Sequence, residues 1–373
     1  MSEDRSSRSS PQRPRPRRPR PTVRDVADAA GVSAAVASVV LRDGAEGQSN
    51  IRAGAATRDR VRRAAERLGY TPNAAARALR TGRTHTIGVA VRQLSHPFFA
   101  AIVEGIAAAC SAAGYHLLLG DTRSDEREEQ EIVTLLSHGR ADGLLVLGEL
   151  PEDEPTITAA LKRRTPLVLV ARPPLGGAPA VVLDHHRAIT LGLDHLRALG
   201  HRTIAVALPA ESRPMPAGQT RVAETRAYAT RHGWPAPLTL DVGDEDAAAL
   251  GARLGTLKSA DRTDSITAVL ASDRVAVRVL KAAQAAGLDV PGDLSILALD
   301  GTEMTTHTTP SLTSVTQPLR EMGREAAERL LARLNGAAPA EGRASSGVVT
   351  LEPTLAVRGS TAPPRARRGG RAA

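Results

Sequence analysis

Residues 22–42 read TVRDVADAAGVSAAVASVVLR, and how they fold decides what the N-terminal end of the chain is. Thr22, followed three residues later by Asp25, has the form of a capping box, and Val26, Ala29 and Ala30 give the short helix after it one apolar face. Gly31 breaks that helix. Ser33 caps a second one, expected to turn Val36, Ala37 and Val40 inward. A Gly-rich loop fills 42–56, and a third helix, from near Thr57 to Leu68, repeats Val61, Ala64, Ala65 and Leu68 along one face before Gly69 ends it. This is the pattern of a helix-turn-helix, whose second helix enters the major groove of DNA. The outward residues of that helix, Ala34, Ala35 and Val39, offer no paired hydrogen bonds to a base edge, and an alanine methyl contacts only a thymine methyl.

Charge supports a polyanion-binding end. Residues 1–84 hold 18 arginines against 8 acids, whereas 85–360 hold 27 basic and 32 acidic residues. A basic segment on a mildly acidic body indicates two tasks in one chain. Residues 1–21 are Arg, Pro and Ser without a hydrophobic period and are expected to be a disordered basic tail, as is 359–373. The first residues lack the apolar core of a signal peptide, and a single cysteine, Cys110, excludes an internal disulfide; a cytoplasmic protein, nucleoid-associated when on DNA, is expected. Apolar runs such as LVLVA at 167–171 are far shorter than the roughly 20 residues that span a bilayer, so no membrane partner is expected.

From Thr86 the pattern changes to short apolar runs alternating with amphipathic segments. Strands are expected at 86–91, 115–121, 143–148, 167–171, 180–184, 203–208, 266–271 and 295–300, with helices between most of them, for example 98–113, 125–138, 187–199 and 273–286. Continuous apolar strands separated by helices predict parallel sheets covered on both faces. A body of this length fits two doubly wound lobes with a ligand cleft at the carboxyl ends of the strands.

The segments TVRDVADAAGVS (22–33), GYTPNAAARALRTGRTHTIGV (69–89), HPFFAAIVEGI (96–106), ADGLLVL (141–147), HLRALGHRTIAV (195–206), LASD (270–273), LDVPGDLSILALDGTE (288–303) and SLTSVTQP (311–318), in this order, closely resemble the LacI/GalR family of bacterial transcriptional regulators. The resemblance implies an N-terminal helix-turn-helix at 22–70, a hinge at 71–84 and a periplasmic-binding-protein-like α/β effector domain. Its N-lobe is expected at 85–184 and 317–345, its C-lobe at 185–316 and 346–358. In the hinge, Asn73 to Arg80 would form a helix in the minor groove with Leu79 wedging a base step, and Arg77, Arg80 and Arg83 would meet phosphates. The expected DNA-binding set is Thr22, Val23, Ser33, Ala34, Ala35, Ser38, Val39, Arg42, Asn50, Arg52, Asn73, Ala76, Arg77, Leu79 and Arg80. The expected effector set is Phe98, Phe99, Arg221, Asp273 and Asp300. Val36, Val39 and Arg42 stand where the family usually has Thr, Arg and Asn, and Glu245 stands near a position where it often has an aromatic.

The expectation is therefore a dimeric regulator, most simply a repressor, of a palindromic operator in double-stranded DNA, controlled by a small polar, sugar-like metabolite. Two other readings are a binding protein of the periplasmic type without a DNA role and an α/β enzyme such as a sugar kinase. The chain has no GxxxxGK[ST], GxSxG, HExxH or CxxC motif, and no catalytic residue or cofactor is expected. The DHH at 184–186 together with His195 is the one arrangement suggestive of a metal, and ordinary structural histidines are the expected reading.

Overall fold

A computed structural model describes residues 21–41, 53–71, 78–79, 81–148, 154–209, 216–258, 265–336 and 347–365. They fall into two compact units that divide at Gly82 and Arg83.

The first unit is built on α1 (Val23–Ala30), α2 (Ala34–Val40) and α3 (Ala55–Leu68). Thr22 and Asp25 form the capping box, with Thr22 N donating to Asp25 Oδ2 at 2.6 Å and Asp25 N to Thr22 Oγ1 at 3.4 Å. The bonds from Thr22 hold the Asp25 carboxyl below its ordinary range. Gly31 takes the left-handed conformation (φ 62°) that ends α1, and Ser33 Oγ accepts from Val36 N at 3.3 Å to start α2. The core is small and alanine-rich, with Val26, Ala27, Ala30, Ala37, Val40, Val61, Ala64 and Ala65 at its centre. Two sequence readings are corrected here. Ala29 is exposed and Ala27 takes the inward place, because α1 meets both α2 and α3 and needs a broader face. Leu68 is exposed too, and the half-buried Tyr70 packs against the core at that end of α3.

The second unit holds two six-stranded sheets. The first runs β11 (Val348–Leu351), β5 (Ala180–Leu183), β4 (Leu167–Val170), β3 (Gly143–Leu147), β1 (Thr86–Val91) and β2 (His116–Asp121), all parallel. The second runs β12 (Thr354–Ala356), β10 (Thr313–Thr316), β9 (Ser295–Asp300), β8 (Ala268–Ser272), β6 (Ile204–Pro209) and β7 (Leu238–Val242), with only β12 antiparallel. Alternate strand residues serve opposite faces. Ile87, Val89, Leu145 and Leu147 pack under α4 (Pro97–Ala112) and α11 (Leu319–Leu334), while Ala90, Leu144 and Val146 pack under α5 (Glu126–Ser137) and α6 (Glu154–Lys162). In the second lobe, α7 (His185–Ala198) and α8 (Pro216–Arg231) cover one face, and α9 (Ala247–Lys258) and α10 (Asp273–Ala285) the other. Each such Leu, Ile or Val contributes about 1.5–3 kcal/mol by leaving water.

The chain passes between the lobes through Asp184, through Gln317 and Pro318, and through Glu352 and Pro353. The last crossing corrects the expected boundary: 348–351 extend the first sheet beside β5, and only 354–356 join the second. The C-terminal expectation is corrected as well. Residues 359–365 are packed on the second lobe, with Ser360 fully buried, its Oγ donating to Ile296 O at 2.6 Å and accepting from Thr313 N at 2.8 Å. Their polar side chains replace the apolar contacts whose absence suggested disorder. The expected tail at 1–21, apart from Pro21, and residues 366–373 lie outside the described residues.

Candidate effector site and DNA-binding helices

A cavity of about 430 Å³ lies between the two lobes, where the carboxyl ends of both parallel sheets meet. Backbone groups at such strand ends and at the helix starts that follow them point outward, which makes this the usual ligand position in the fold. From the first lobe come Arg92 and Gln93 after β1, His96 and Phe98 at the start of α4, and Ser124 after β2. From the second come Arg221 on α8, Ser272, Arg274 and Arg278 at β8 and α10, and Asp300 at the end of β9. His185 enters from the start of α7.

Of the five expected effector residues, four line the cavity. Phe98 and Phe99 meet edge to face, with ring centroids 5.1 Å apart. Phe99 is buried against Gly148, where an added Cβ would lie 2.9 Å from the ring, so Phe98 presents the more accessible aromatic surface. Arg221 Nη2 sits 3.6 Å from Asp300 Oδ1, and Gln317 Nε2 donates to the same oxygen at 3.1 Å. Burial pushes the Asp300 carboxyl up to about 7, Arg221 opposes the rise, and Asp273 adds to it. Asp300 also holds φ 124°, an unusual backbone for a residue with a side chain.

Asp273 is the exception. It does not line the cavity; its Oδ2 accepts from both Thr302 N and Thr302 Oγ1 at 2.6 Å, and Ser314 Oγ approaches Oδ1 at 3.4 Å. A buried carboxylate with these donors fastens the turn after β9 to α10.

The residues that the sequence reading missed are mostly basic. Arg92, Arg274 and Arg278 line the cavity, together with the neutral imidazoles of His96 and His185. Burial lowers His96 to about 4, helped by the positive charges of Arg274, Arg221 and Arg92. Burial and Arg221 lower His185 to about 4 as well. His96 Nδ1 accepts from Phe98 N at 3.2 Å, which leaves Nε2 as the donor of the neutral ring. Arg278 donates to the carbonyls of Gly243 and Glu245 and so holds that turn in place, while Glu245 itself pairs with Arg253 at 2.8 Å. Most of these residues stand within a few positions of a strand end, and that position is the signal by which they are legible.

The histidines of 184–186 and His195 point to separate partners: His185 faces the cavity, His186 Nδ1 meets Glu224 at 2.7 Å, and His195 Nε2 meets Thr361 Oγ1 at 2.9 Å. Among the described residues no helix is long and apolar enough to cross a membrane.

On the helix-turn-helix, Ala34 and Ala35 are exposed and Ser38 and Val39 half-buried, while Thr22 and Ser33 cap helices and Val23 packs at the core edge. Leu79 is 89% exposed, so it belongs to no core. Arg42, Asn50, Arg52, Asn73, Ala76, Arg77 and Arg80 lie outside the described residues. Arg83, expected at phosphates, instead donates to Asn335 Oδ1 at 3.1 Å and Leu334 O at 2.8 Å, where the last carbonyls of α11 attract a cation.

Residues 22–73 match the bacterial regulatory proteins of the lacI family, and 193–361 match the periplasmic binding protein-like domain. The HTH-type transcriptional regulator PtxS of Pseudomonas putida is 32% identical over 350 residues, spanning 92% of this chain and 96% of its own. The chain belongs to the LacI family. Another relative at 32% identity is the transcriptional repressor CytR of Escherichia coli, over 91% of this chain and 96% of its own. The lac repressor dimer, solved bound to operator and the anti-inducer ONPF, superposes with a TM-score of 0.74 at 27% identity, over 91% of this chain and 99% of that one. This LacI-family chain is thus a DNA-binding transcriptional regulator with a small-molecule-binding body.

Proposed function

We propose that the protein is a dimeric, cytoplasmic repressor that holds a palindromic operator with its helix-turn-helix and Leu79 and releases or tightens it when a polar metabolite fills the cavity between the lobes. The observation that carries this reading is a cavity between two lobes, lined by Arg92, Arg221, Arg274 and Asp300 beside Phe98, in the same chain as a capped helix-turn-helix. Phe98, Arg221 and Asp300 are the effector contacts, with Arg92 and Arg274 beside them. The residues that follow the hinge are fastened to the first lobe: Thr84 N and Oγ1 donate to Asp142 Oδ1 at 2.6 and 2.7 Å, and His85 N to Oδ2 at 3.0 Å. A ligand that favours one lobe arrangement over the other therefore changes where the first lobe carries the end of the hinge, and operator affinity follows from that difference. The lac repressor dimer bound to operator, similar over 91% of this chain, supports the dimeric arrangement for this chain.

The test is a footprint of the full chain on the DNA flanking its own gene, repeated across a panel of metabolites. A protected, symmetric site whose occupancy shifts with one compound is the expected result. Uniform, salt-sensitive coating of all DNA would overturn the reading.

A further inference from the structure

Arg83, the first residue of the second unit, carries its guanidinium to the far end of α11, donating to Leu334 O at 2.8 Å and Asn335 Oδ1 at 3.1 Å. The near end of the same helix follows Gln317 and Pro318, where the chain arrives from the second lobe. There Gln317 is bonded twice to Asp300: its backbone N donates to Asp300 O at 3.1 Å, and its Nε2 to Asp300 Oδ1 at 3.1 Å. Between these two attachments α11 runs for 16 residues, about 24 Å at the rise of an α-helix. Met322, Ala326, Ala327 and Leu330 seat it, fully buried, in the close-packed core of the first lobe, and Glu325 pairs with Arg329 at 2.9 Å along it. A helix held in this way is stiff, so a shift at Gln317 arrives at Leu334 and is not absorbed between them.

We propose that Arg83 is a positioning residue that couples the cavity to the operator, because through it α11 sets the direction in which the chain leaves the hinge. The inference rests on the reading of this chain as an effector-controlled, operator-binding regulator. Thr84 and His85 tie the same stretch to Asp142, which leads into β3. The residues after the hinge are thus held from two sides, by Asp142 largely through their backbone and by α11 through the Arg83 side chain. A small movement of α11 against β3 therefore turns this stretch. A guanidinium engaged at the last carbonyls of a helix, where the helix dipole favours a cation, acts on DNA through hinge geometry and not as a phosphate ligand.

The experiment uses the full chain and compares Arg83→Gln, Arg83→Lys and Asn335→Ala, each alone and combined with Gln317→Ala, which disturbs the opposite end of α11. Affinity for the footprinted DNA and for random DNA is measured across a salt series. Arg83→Gln is expected to lower the ratio of the two affinities about threefold or more, and to abolish the change that Gln317→Ala makes on its own. Asn335→Ala, which removes one of the two acceptors and no charge, should shift the ratio in the same direction. Arg83→Lys, which still donates to the last carbonyls, should keep most of the wild-type behaviour. The salt slope should match the wild type in every case. A slope shallower by about 1 in Arg83→Gln would make Arg83 a phosphate ligand and overturn the proposal. So would no shift in Asn335→Ala, no effect of Gln317→Ala, or additive effects of Gln317→Ala and Arg83→Gln. Hydrogen exchange at the Thr84 and His85 amides repeats the cycle without DNA: Gln317→Ala is expected to change it about threefold or more, and Arg83→Gln to remove that response. If the wild type protects no DNA site, the operator reading fails, while the exchange still decides the linkage.

Discussion

Gly105 on α4 and Gly323 on α11 each occupy the place where the other helix's backbone passes: a Cβ on Gly105 would lie 1.9 Å from Arg320 O, and one on Gly323 2.0 Å from Ile102 O. The two helices touch backbone to backbone, and no side chain fits. Gly105→Ala is therefore expected to destabilise the body by about 1–3 kcal/mol or more. Gly255→Ala on α9, which has nothing within 4 Å of the added methyl, is expected to be neutral or stabilising by up to about 1 kcal/mol. Urea unfolding followed by circular dichroism checks both. Equal midpoints for the two variants would refute the close approach.

Acid sensitivity follows from the buried imidazoles. His96, His185 and His201 are held down to about 4, burial being the largest cause in each, whereas the unfolded chain protonates them near 6.5. Their contribution is present above about 6.5 and is lost as pH falls toward 4. Asp300 acts oppositely: raised to about 7, it contributes most below the ordinary carboxylate pKa near 4 and loses that contribution as pH rises to 7. Three groups outweigh one, so the melting temperature should fall on going from pH 7 to 4, and fall more steeply in Asp300→Asn. Melting curves across that range decide it; a flat profile would contradict the assignment.

The C-terminal clasp gives a third expectation. Ser360 Oγ satisfies two buried backbone groups, and Ala362 O accepts from His201 Nε2 at 2.9 Å. Ser360→Ala leaves Ile296 O and Thr313 N without that partner and should cost about 1–3 kcal/mol. A chain ending at Arg358 should melt well below one ending at Arg365, in which Arg365 still pairs with Asp293 at 2.7 Å. Coincident melting curves would show the segment to be dispensable.

On DNA, Leu79→Ala should reduce the ratio of operator to random-sequence affinity more than Ala35→Gly does. An exposed leucine lodged at a base step replaces stacking that an alanine cannot, whereas Ala35 offers one methyl. Competition gel shifts give the ranking, and a reversed order would return discrimination to α2.

What the sequence made legible depended on how each feature is encoded. SILALD and TIGVAV matched strand boundaries residue for residue, because apolar runs buried on both faces leave little ambiguity. Strand β10, TSVT, escaped notice because its Thr313 and Ser314 are buried by hydrogen bonding rather than by hydrophobicity. Arg221 and Asp300 were found through the family pattern, but Arg92 and Arg274 carry no pattern, and only the strand ends before them reveal their direction. Gly105 was part of a quoted motif and still unread, since its partner backbone lies far along the chain. Residues 359–365 looked disordered because composition reports apolar content and is blind to a serine with two backbone partners.

The three passages between lobes, Asp184, Gln317 with Pro318, and Glu352 with Pro353, act as a linkage of three short struts. Struts of one or two residues have no slack for stretch or lateral slip, so the soft movement left to the lobes is rotation. Gln317, inside one strut, also donates to Asp300 at the cavity. On the proposed reading, a ligand that contacts Asp300 would act at the pivot itself, where a small change in torsion is multiplied by the full length of the lobe.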